Sequence, residues 1–264
     1  MRIDFAGRNV LVTGASSGIG AAMAKEFASR GAVLYLAARN AERLAGVCAA
    51  CEALGAKAEA LTVDMASEES VDALAAEFGK RGVLLDVIVL NAGISQRALT
   101  FETATDVDRK VMETNFFGPV RLVKQLAGQI RGERPVSLAV TTSISGLFGF
   151  PLRSAYCASK HALFGFFESL ELENPNVRVT FLIPGRINTP ISRSAVLGDG
   201  SAYAEMDPGQ ANGMDVDKCA RIAVKAISKG TRRKLIGGIE LIMVYIKKWC
   251  PWLFFKLAGK VSAK

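Results

Sequence analysis

An open, doubly wound α/β domain is the fold predicted for this 264-residue chain. Three observations predict it. Short aliphatic or β-branched runs alternate with helix-length segments along most of the sequence. Those runs are apolar almost continuously rather than at every second position, as parallel strands covered on both faces are. The first run also passes through a glycine-rich turn directly into a helical pattern. Half of the residues are apolar, and at this length one large core fits better than two small ones.

The expected strands, in order, are "NVLVTG", "AVLYLAA", "AEALTVD", "LDVIVLNAG", "VSLAVTTS" and "NVRVTFLIPG". They form a single-domain, Rossmann-like parallel sheet with helices on both faces. After the first strand, "TGASSGIGAAMAKEF" brings Gly14, Gly18 and Gly20 to the strand-to-helix turn. Glycines there let a backbone approach a pyrophosphate, and a helix N-terminus offers free N–H groups and the positive end of its dipole. After the second strand, "CAAC" at Cys48 to Cys51 has redox spacing but lies inside a helical pattern, so it reads as a packed helix face. The fifth strand leads through "TTSISGLFGFPLRSAYCASKHALFGFFESL" into a helix carrying Tyr156 and, four residues on, Lys160. Residues at i and i+4 share a helix face. Phe164, Phe166, Phe167 and Leu170 read as core or subunit contact. His161, the single histidine, points about 100° away from Lys160 on the same helix. It reads as a surface or interface position and not as the base of a hydrolase.

Beyond the sixth strand the periodicity fails from Arg186 to about Val216, through the polar "DGSAYAEMDPGQANG". About thirty residues without a period inside a compact domain read as a lid. Residues 1–240 then form the catalytic body, and 241–264 a basic aromatic tail. The net charge of +8 belongs to the C-terminal part: nine Lys or Arg from Lys229 onward face the single acid Glu240, and residues 1 to 228 are neutral. A nucleic-acid partner is therefore not expected. In the tail, Trp249, Trp252, Phe254 and Phe255 lie among Lys247, Lys248, Lys256 and Lys260, the mixture of a helix lying in a membrane interface. At about 1 kcal/mol per basic residue near an anionic surface, four or five would contribute ~4–5 kcal/mol. The other reading is that these aromatics cover the site or a neighbouring subunit. The tract "LIMVYIKKWCPWLFFKLAG" is too interrupted to span a bilayer. Five cysteines give no disulfide framework and no signal peptide is visible, which places the body in the cytoplasm, peripheral on the inner face of a membrane if the tail binds one.

"TGASSGIG" resembles the "TGxxxGIG" motif of the short-chain dehydrogenase/reductase family, residue for residue. Further marks of that family recur in order: "VDM" from Val63, "NAG" from Asn91, Asn115 in "TNFFG", Ser143, Tyr156 with Lys160, and "PGRINT" from Pro184. The resemblance covers nearly the whole chain. It implies a nicotinamide cofactor held by Gly14, Ser16, Ser17, Gly18, Ile19, Gly20, Arg39, Asn40, Asp64, Met65, Asn91, Ala92, Gly93, Tyr156, Lys160, Pro184, Gly185, Ile187 and Thr189. Ala38 stands where NAD-using relatives carry Asp, and Arg39 can grip a 2′-phosphate with its planar fork, so the cofactor expected is NADP(H). The resemblance also implies roles. Tyr156 exchanges a proton with a carbonyl or alcohol oxygen, Ser143 orients that oxygen, Lys160 holds the ribose, and Asn115 supports a water relay feeding Lys160. Lys160 would also lower the phenol pKa, assisted by the charge of the oxidised cofactor. No metal is needed.

"DGSAYAEMD" and the "LFFKLA" ending resemble the dehydrogenase/reductase member-7 branch, which implies a lipophilic or bulky ketone, and the family resemblance implies a homodimer or homotetramer. Two further functions fit the same residues: a 3-oxoacyl reductase whose basic tail meets an acidic carrier protein, and a non-catalytic NADP sensor. The complete Ser143, Tyr156, Lys160 and Asn115 set disfavours the sensor.

Overall fold

The structure, a computed structural model, describes residues 2 to 259. Seven parallel strands form one sheet in the order β3-β2-β1-β4-β5-β6-β7. They are β1 (Asn9–Thr13), β2 (Val33–Ala38), β3 (Lys57–Thr62), β4 (Val87–Leu90), β5 (Val136–Thr141), β6 (Val177–Pro184) and β7 (Arg233–Ile236). The order reverses between β1 and β4, and there the loops leaving the two strands diverge and open a crevice at the carboxyl edge. Every residue of β4 and β5 is buried, which is why those runs lack polar alternation.

Six strands fall where the apolar runs predict them. The seventh, β7, was not foreseen. It comprises only "RKLI", begins with an exposed arginine, and pairs with β6 alone at the sheet edge. At an edge the outer side of a strand stays wet, so its sequence need not be apolar.

One face of the sheet is covered by α1 (Gly18–Ala28), α2 (Ala41–Glu52) and α9 (Val216–Ser228), around Met23, Phe27, Leu44 and Val224. Cys48 and Cys51 belong to this core, so the "CAAC" pair is a packed face of α2. The other face carries α3 (Glu68–Lys80), α4 (Thr105–Met112), α5 (Gly118–Gln125), α6 (Ala127–Ile130) and α7 (Ser154–Glu173). Here Phe78, Leu122, Leu163, Phe164, Phe167 and Phe181 are buried, with Phe166 and Leu170 packed partly against them. His161 is exposed on α7 and its Nδ1 sits 2.8 Å from the Cys157 carbonyl.

Short polar side chains fix where helices begin. Asn40 accepts the Arg43 amide at 2.8 Å, Ser67 the Ser70 amide at 3.2 Å and Asp215 the Lys218 amide at 2.8 Å. A five-residue π-helical stretch, Glu113–Phe117, joins α4 to α5 and carries Asn115. The run between Arg186 and Val216 contains only a 3₁₀ turn, Pro190–Ser192, and α8 (Pro208–Ala211). It is tied down by bridges from Val196 to Gln96 and Ala202 and from Ile187 to Met214. The tail folds back as α10 (Ile242–Trp249) and α11 (Pro251–Ala258). Lys260 and Lys264 of the expected tail lie outside the described residues.

Candidate active site

A cleft of about 760 Å³ opens at the switch point between β1 and β4. Its floor begins where β1 ends. The Thr13 hydroxyl accepts the amides of Asn91 and Ala92 at 3.0 and 3.2 Å and donates to the Val89 carbonyl at 3.2 Å, pinning the tip of β1 to that of β4. Gly14 then turns with φ +66°, and a Cβ there would lie 2.7 Å from the Ala92 Cα. A Cβ on Gly20 would lie 2.3 Å from the Gly14 carbonyl oxygen. Both positions therefore require glycine, and together they let the turn fold flat against the start of α1. The α1 N-terminus has no side-chain cap, so its first amides are left to an outside acceptor. This cradle fits a pyrophosphate.

Around it the cleft is lined by Ser16, Ser17, Gly18 and Ile19 from the turn, Arg39 and Asn40 after β2, and Asp64 and Met65 after β3. Asn91, Ala92 and Gly93 after β4, and Pro184, Gly185, Ile187 and Thr189 after β6, complete that side. Gly20 does not line the cleft; it acts one layer behind, against Gly14. Arg43, on the first turn of α2, also lines the cleft. The sequence reading missed it, although its spacing of four from Arg39 was a usable signal.

Ser143, Tyr156 and Lys160 line the same cleft. Ser143 follows β5, where its hydroxyl donates to the Pro184 carbonyl at 3.4 Å and accepts the Ser145 amide at 3.2 Å. Lys160 donates from Nζ to the Thr141 carbonyl at 2.9 Å, and the same nitrogen stands 5.8 Å from the centroid of the Tyr156 ring. Asn115 lies beneath the cleft wall and is only 1% exposed. Its Oδ1 accepts the Ile94 amide at 2.8 Å, and its Nδ2 donates to the Ile94 carbonyl at 2.9 Å and the Ser159 hydroxyl at 3.0 Å. Among the described residues Asn115 makes no direct bond to Lys160, though the Asn115 Oδ1 and the Lys160 Nζ both approach Gly93.

Within the protein's own atoms, burial raises the Tyr156 phenol above its ordinary value, and the Ser143 hydroxyl and the Arg153 charge pull only partly the other way. The reason is that a phenol 7% exposed has lost the water that would solvate its anion. Burial also pulls the Lys160 ammonium down to about 8. The lysine does not on its own offset the desolvation of its neighbour.

The substrate side of the cleft is closed by groups distant in sequence. Ile144, Phe148, Phe150 and Ile191 face it, with Arg153, Arg193 and Asp207 among them. Glu240, the last residue of the body, and Met243 of the tail also line it. The Glu240 Oε1 accepts the amides of Arg186 at 2.7 Å and Gly238 at 3.0 Å, which ties the root of the tail to the "PG" turn. Phe254 of α11 is buried with its ring 4.9 Å from that of Phe148. Phe254 of the tail thus packs on Phe148 of the cleft wall, while Trp249, Trp252 and Phe255 stay exposed. Among the described residues no helix is long and apolar enough to cross a membrane, and no group of three or more His, Cys, Asp or Glu is placed to hold a metal.

The profile of the family described as "short chain dehydrogenase" matches residues 8–199. "Dehydrogenase/reductase SDR family member 7B" of Mus musculus is 37% identical over 262 residues, which span 97% of this chain and 81% of that protein. A short chain dehydrogenase/reductase from Burkholderia phymatum, solved in complex with NAD, has a TM-score of 0.82 at 24% identity, covering 95% of this chain and 96% of that one, and shares the fold. An alcohol dehydrogenase from the archaeon Thermococcus sibiricus, complexed with 5-hydroxy-NADP, has a TM-score of 0.74 at 25% identity, covering 88% of this chain and 97% of that one. This chain belongs to the short chain dehydrogenase family, a family of oxidoreductases that use a nicotinamide cofactor and act on small molecules.

Proposed function

We propose that this protein is an NADP(H)-dependent carbonyl reductase or alcohol dehydrogenase acting on a lipophilic or bulky substrate. The observation that carries the reading is the convergence of Ser143, Tyr156 and Lys160 in the cleft that also holds the uncapped glycine-rich turn. The bound cofactor supplies the hydride and, when oxidised, a positive charge beside the phenol. The chain supplies position and proton. Ser143 holds the substrate oxygen, and Tyr156 gives it a proton in reduction or takes one in oxidation. Lys160 grips the ribose while anchored to Thr141, and Asn115 fixes the loop around Ile94 and supports the water path behind Lys160.

Preference for NADP is supported by Arg39 and Arg43, two guanidiniums on the cleft wall after β2, with Ala38 as the last residue of that strand. An unscreened 2′-phosphate suits such a pair, whereas the bare ribose of NAD would leave both without a partner. The apolar rim made by Phe148, Phe150, Ile144 and Met243 supports a lipophilic substrate. The segment 186–216 acts as its lid. On the outer face of α10 and α11, Trp249 and Trp252 project at 72% and 70% exposure among Lys247, Lys248 and Lys256, an arrangement that suits peripheral contact with an anionic lipid surface. Exposed Leu172 on α7 and exposed Phe117 at the end of the π-helical stretch suit packing against a second copy, as a homodimer or homotetramer.

The test is turnover on a panel of apolar ketones and their alcohols with NADPH and NADH. Oxidation of NADPH in preference to NADH by the wild type supports the reading. No turnover on any carbonyl, with the cofactor still bound, would replace it with a sensor.

A further inference from the structure

Two arginines, one buried and one largely so, lie close to Tyr156: Arg97 bonds through its backbone to Val196, which packs in one apolar cluster with Tyr156, and Arg153 lines the same cleft as the phenol. Arg97, on the loop after β4, is 5% exposed. Arg153 immediately precedes α7, three residues before Tyr156, and lines the cleft. Both donate to one oxygen of one carboxylate, Asp207 Oδ2, at 2.7 Å from Arg97 and 3.3 Å from Arg153. The other oxygen of Asp207 is committed to capping α8, accepting the amides of Gly209 and Gln210 at 2.8 and 3.3 Å. Among the described residues, the Nε atoms of both arginines are buried with no hydrogen-bond partner. Two positive charges thus face one negative charge in a place shielded from water.

Such an arrangement is costly. Burial, and then Arg97, pull the Arg153 guanidinium down to about 10. Apolar residues of the same volume would pack there without that cost. What the surplus charge does meet is Tyr156. The charged and titratable groups that face this phenol are Cys157 on its own helix, Arg153 just before that helix, Arg97 from the β4 loop, and Lys160 beneath its ring, with the Ser143 hydroxyl from the β5 end. Of these cations Lys160 is bonded to the Thr141 carbonyl at the end of β5, whereas Arg97 and Arg153 share the carboxylate of Asp207.

We propose that Arg153, held with Arg97 by the carboxylate of Asp207, is a positioning residue that stabilises the phenolate of Tyr156, and that Asp207, carried on the segment over the cleft, sets how much of that charge the phenol feels. This rests on Tyr156 being the proton donor. Seating of the 186–216 segment then has a chemical consequence as well as a steric one: it brings a neutralising carboxylate to one face of the cluster.

Opposed variants test the idea. The phenolate of Tyr156 is followed in the full chain by the ultraviolet absorbance of tyrosinate against pH, taking the difference from Tyr156→Phe so that Tyr35, Tyr203 and Tyr245 cancel. Arg153→Met should move its midpoint to higher pH by about one unit, Asp207→Asn to lower pH by a similar amount, and Arg153→Lys should stay near the wild type. Asn at 207 keeps the α8 cap, so the fold is retained in that arm. The pH profile of kcat/KM for alcohol oxidation should shift in the same order. Shifts of one sign in both variants, or none, would overturn the proposal. Wild-type turnover by Tyr156→Phe would overturn the proton-donor reading instead, and the titration, which needs no turnover, would still decide the role of the cluster.

Discussion

Replacing Lys160 by Met separates what this residue does for function from what it does to stability. The ammonium is 4% exposed, and among the described residues its one hydrogen bond is to the Thr141 carbonyl. Burial lowers its pKa from 10.5 to about 8, which at ~1.4 kcal/mol per pH unit corresponds to about 3 kcal/mol of stability lost to holding the charge inside. The folded state binds this proton less tightly than the unfolded chain. The penalty is therefore present in full below pH 8, falls as pH rises from about 8 to 10.5, and is gone above that. Methionine matches the stem and carries no charge. After allowing ~1 kcal/mol for the lost hydrogen bond, the variant should be more stable than the wild type by about 2 kcal/mol at pH 7, about 4–6 °C in Tm. Urea denaturation at pH 7 and at pH 9.5 reads the effect. The wild type should gain on the variant between these values, while turnover by the variant falls at every pH. Parallel pH dependence of the two proteins, or a variant less stable at pH 7, would refute the reasoning.

The cofactor wall yields a second expectation. Ala38→Asp with Arg39→Ser should reverse the kcat/KM ratio for NADPH over NADH, and Arg43→Ala alone should lower the NADPH value about tenfold and leave NADH unchanged, since one charge-assisted bond contributes ~1.5–3 kcal/mol. Gly20→Ala drives a methyl to 2.3 Å from the Gly14 carbonyl, so cofactor binding measured by fluorescence should weaken at least about tenfold and stability should fall by about 1–3 kcal/mol. Asn115→Ala strands the Ile94 amide and carbonyl in a buried loop and should lose about 2–3 kcal/mol in denaturant unfolding, with a larger loss of kcat than of affinity for the cofactor. Trp249→Ser with Trp252→Ser should abolish co-sedimentation with anionic vesicles and spare turnover of a water-soluble ketone; equal sedimentation would remove the membrane contact.

Much of this architecture was legible in the sequence because parallel strands buried on two faces are largely apolar, as β1, β2, β4 and β5 are, while β3 at the sheet edge was legible from its place in the alternation of strand and helix. The turn at Gly14 to Gly20 was legible for the same kind of reason: no other residue fits 2.3–2.7 Å from a neighbouring backbone. β7 was not, because a four-residue edge strand starting with Arg233 obeys no such constraint. Glu240 and Met243, and the Arg97, Arg153 and Asp207 cluster, were invisible because they come together only through the tertiary fold; Arg97 and Asp207 are 110 residues apart. The burial of Tyr156 was hidden for a related reason. A Lys four residues along a helix suggests an ion close to the phenol, but spacing carries no information about burial, and burial is the larger effect here.

The account's central claim is hydride transfer to a carbonyl carbon with Tyr156 supplying the proton. Reduction of a ketone with NADPH deuterated at the transferring position tests both halves at once. The account predicts one deuterium at the carbinol carbon of the product in the wild type, and a fall in its rate of formation of about 10²–10⁴ in Tyr156→Phe with cofactor binding retained. Product without deuterium, or an undiminished rate in the phenylalanine variant, would contradict it.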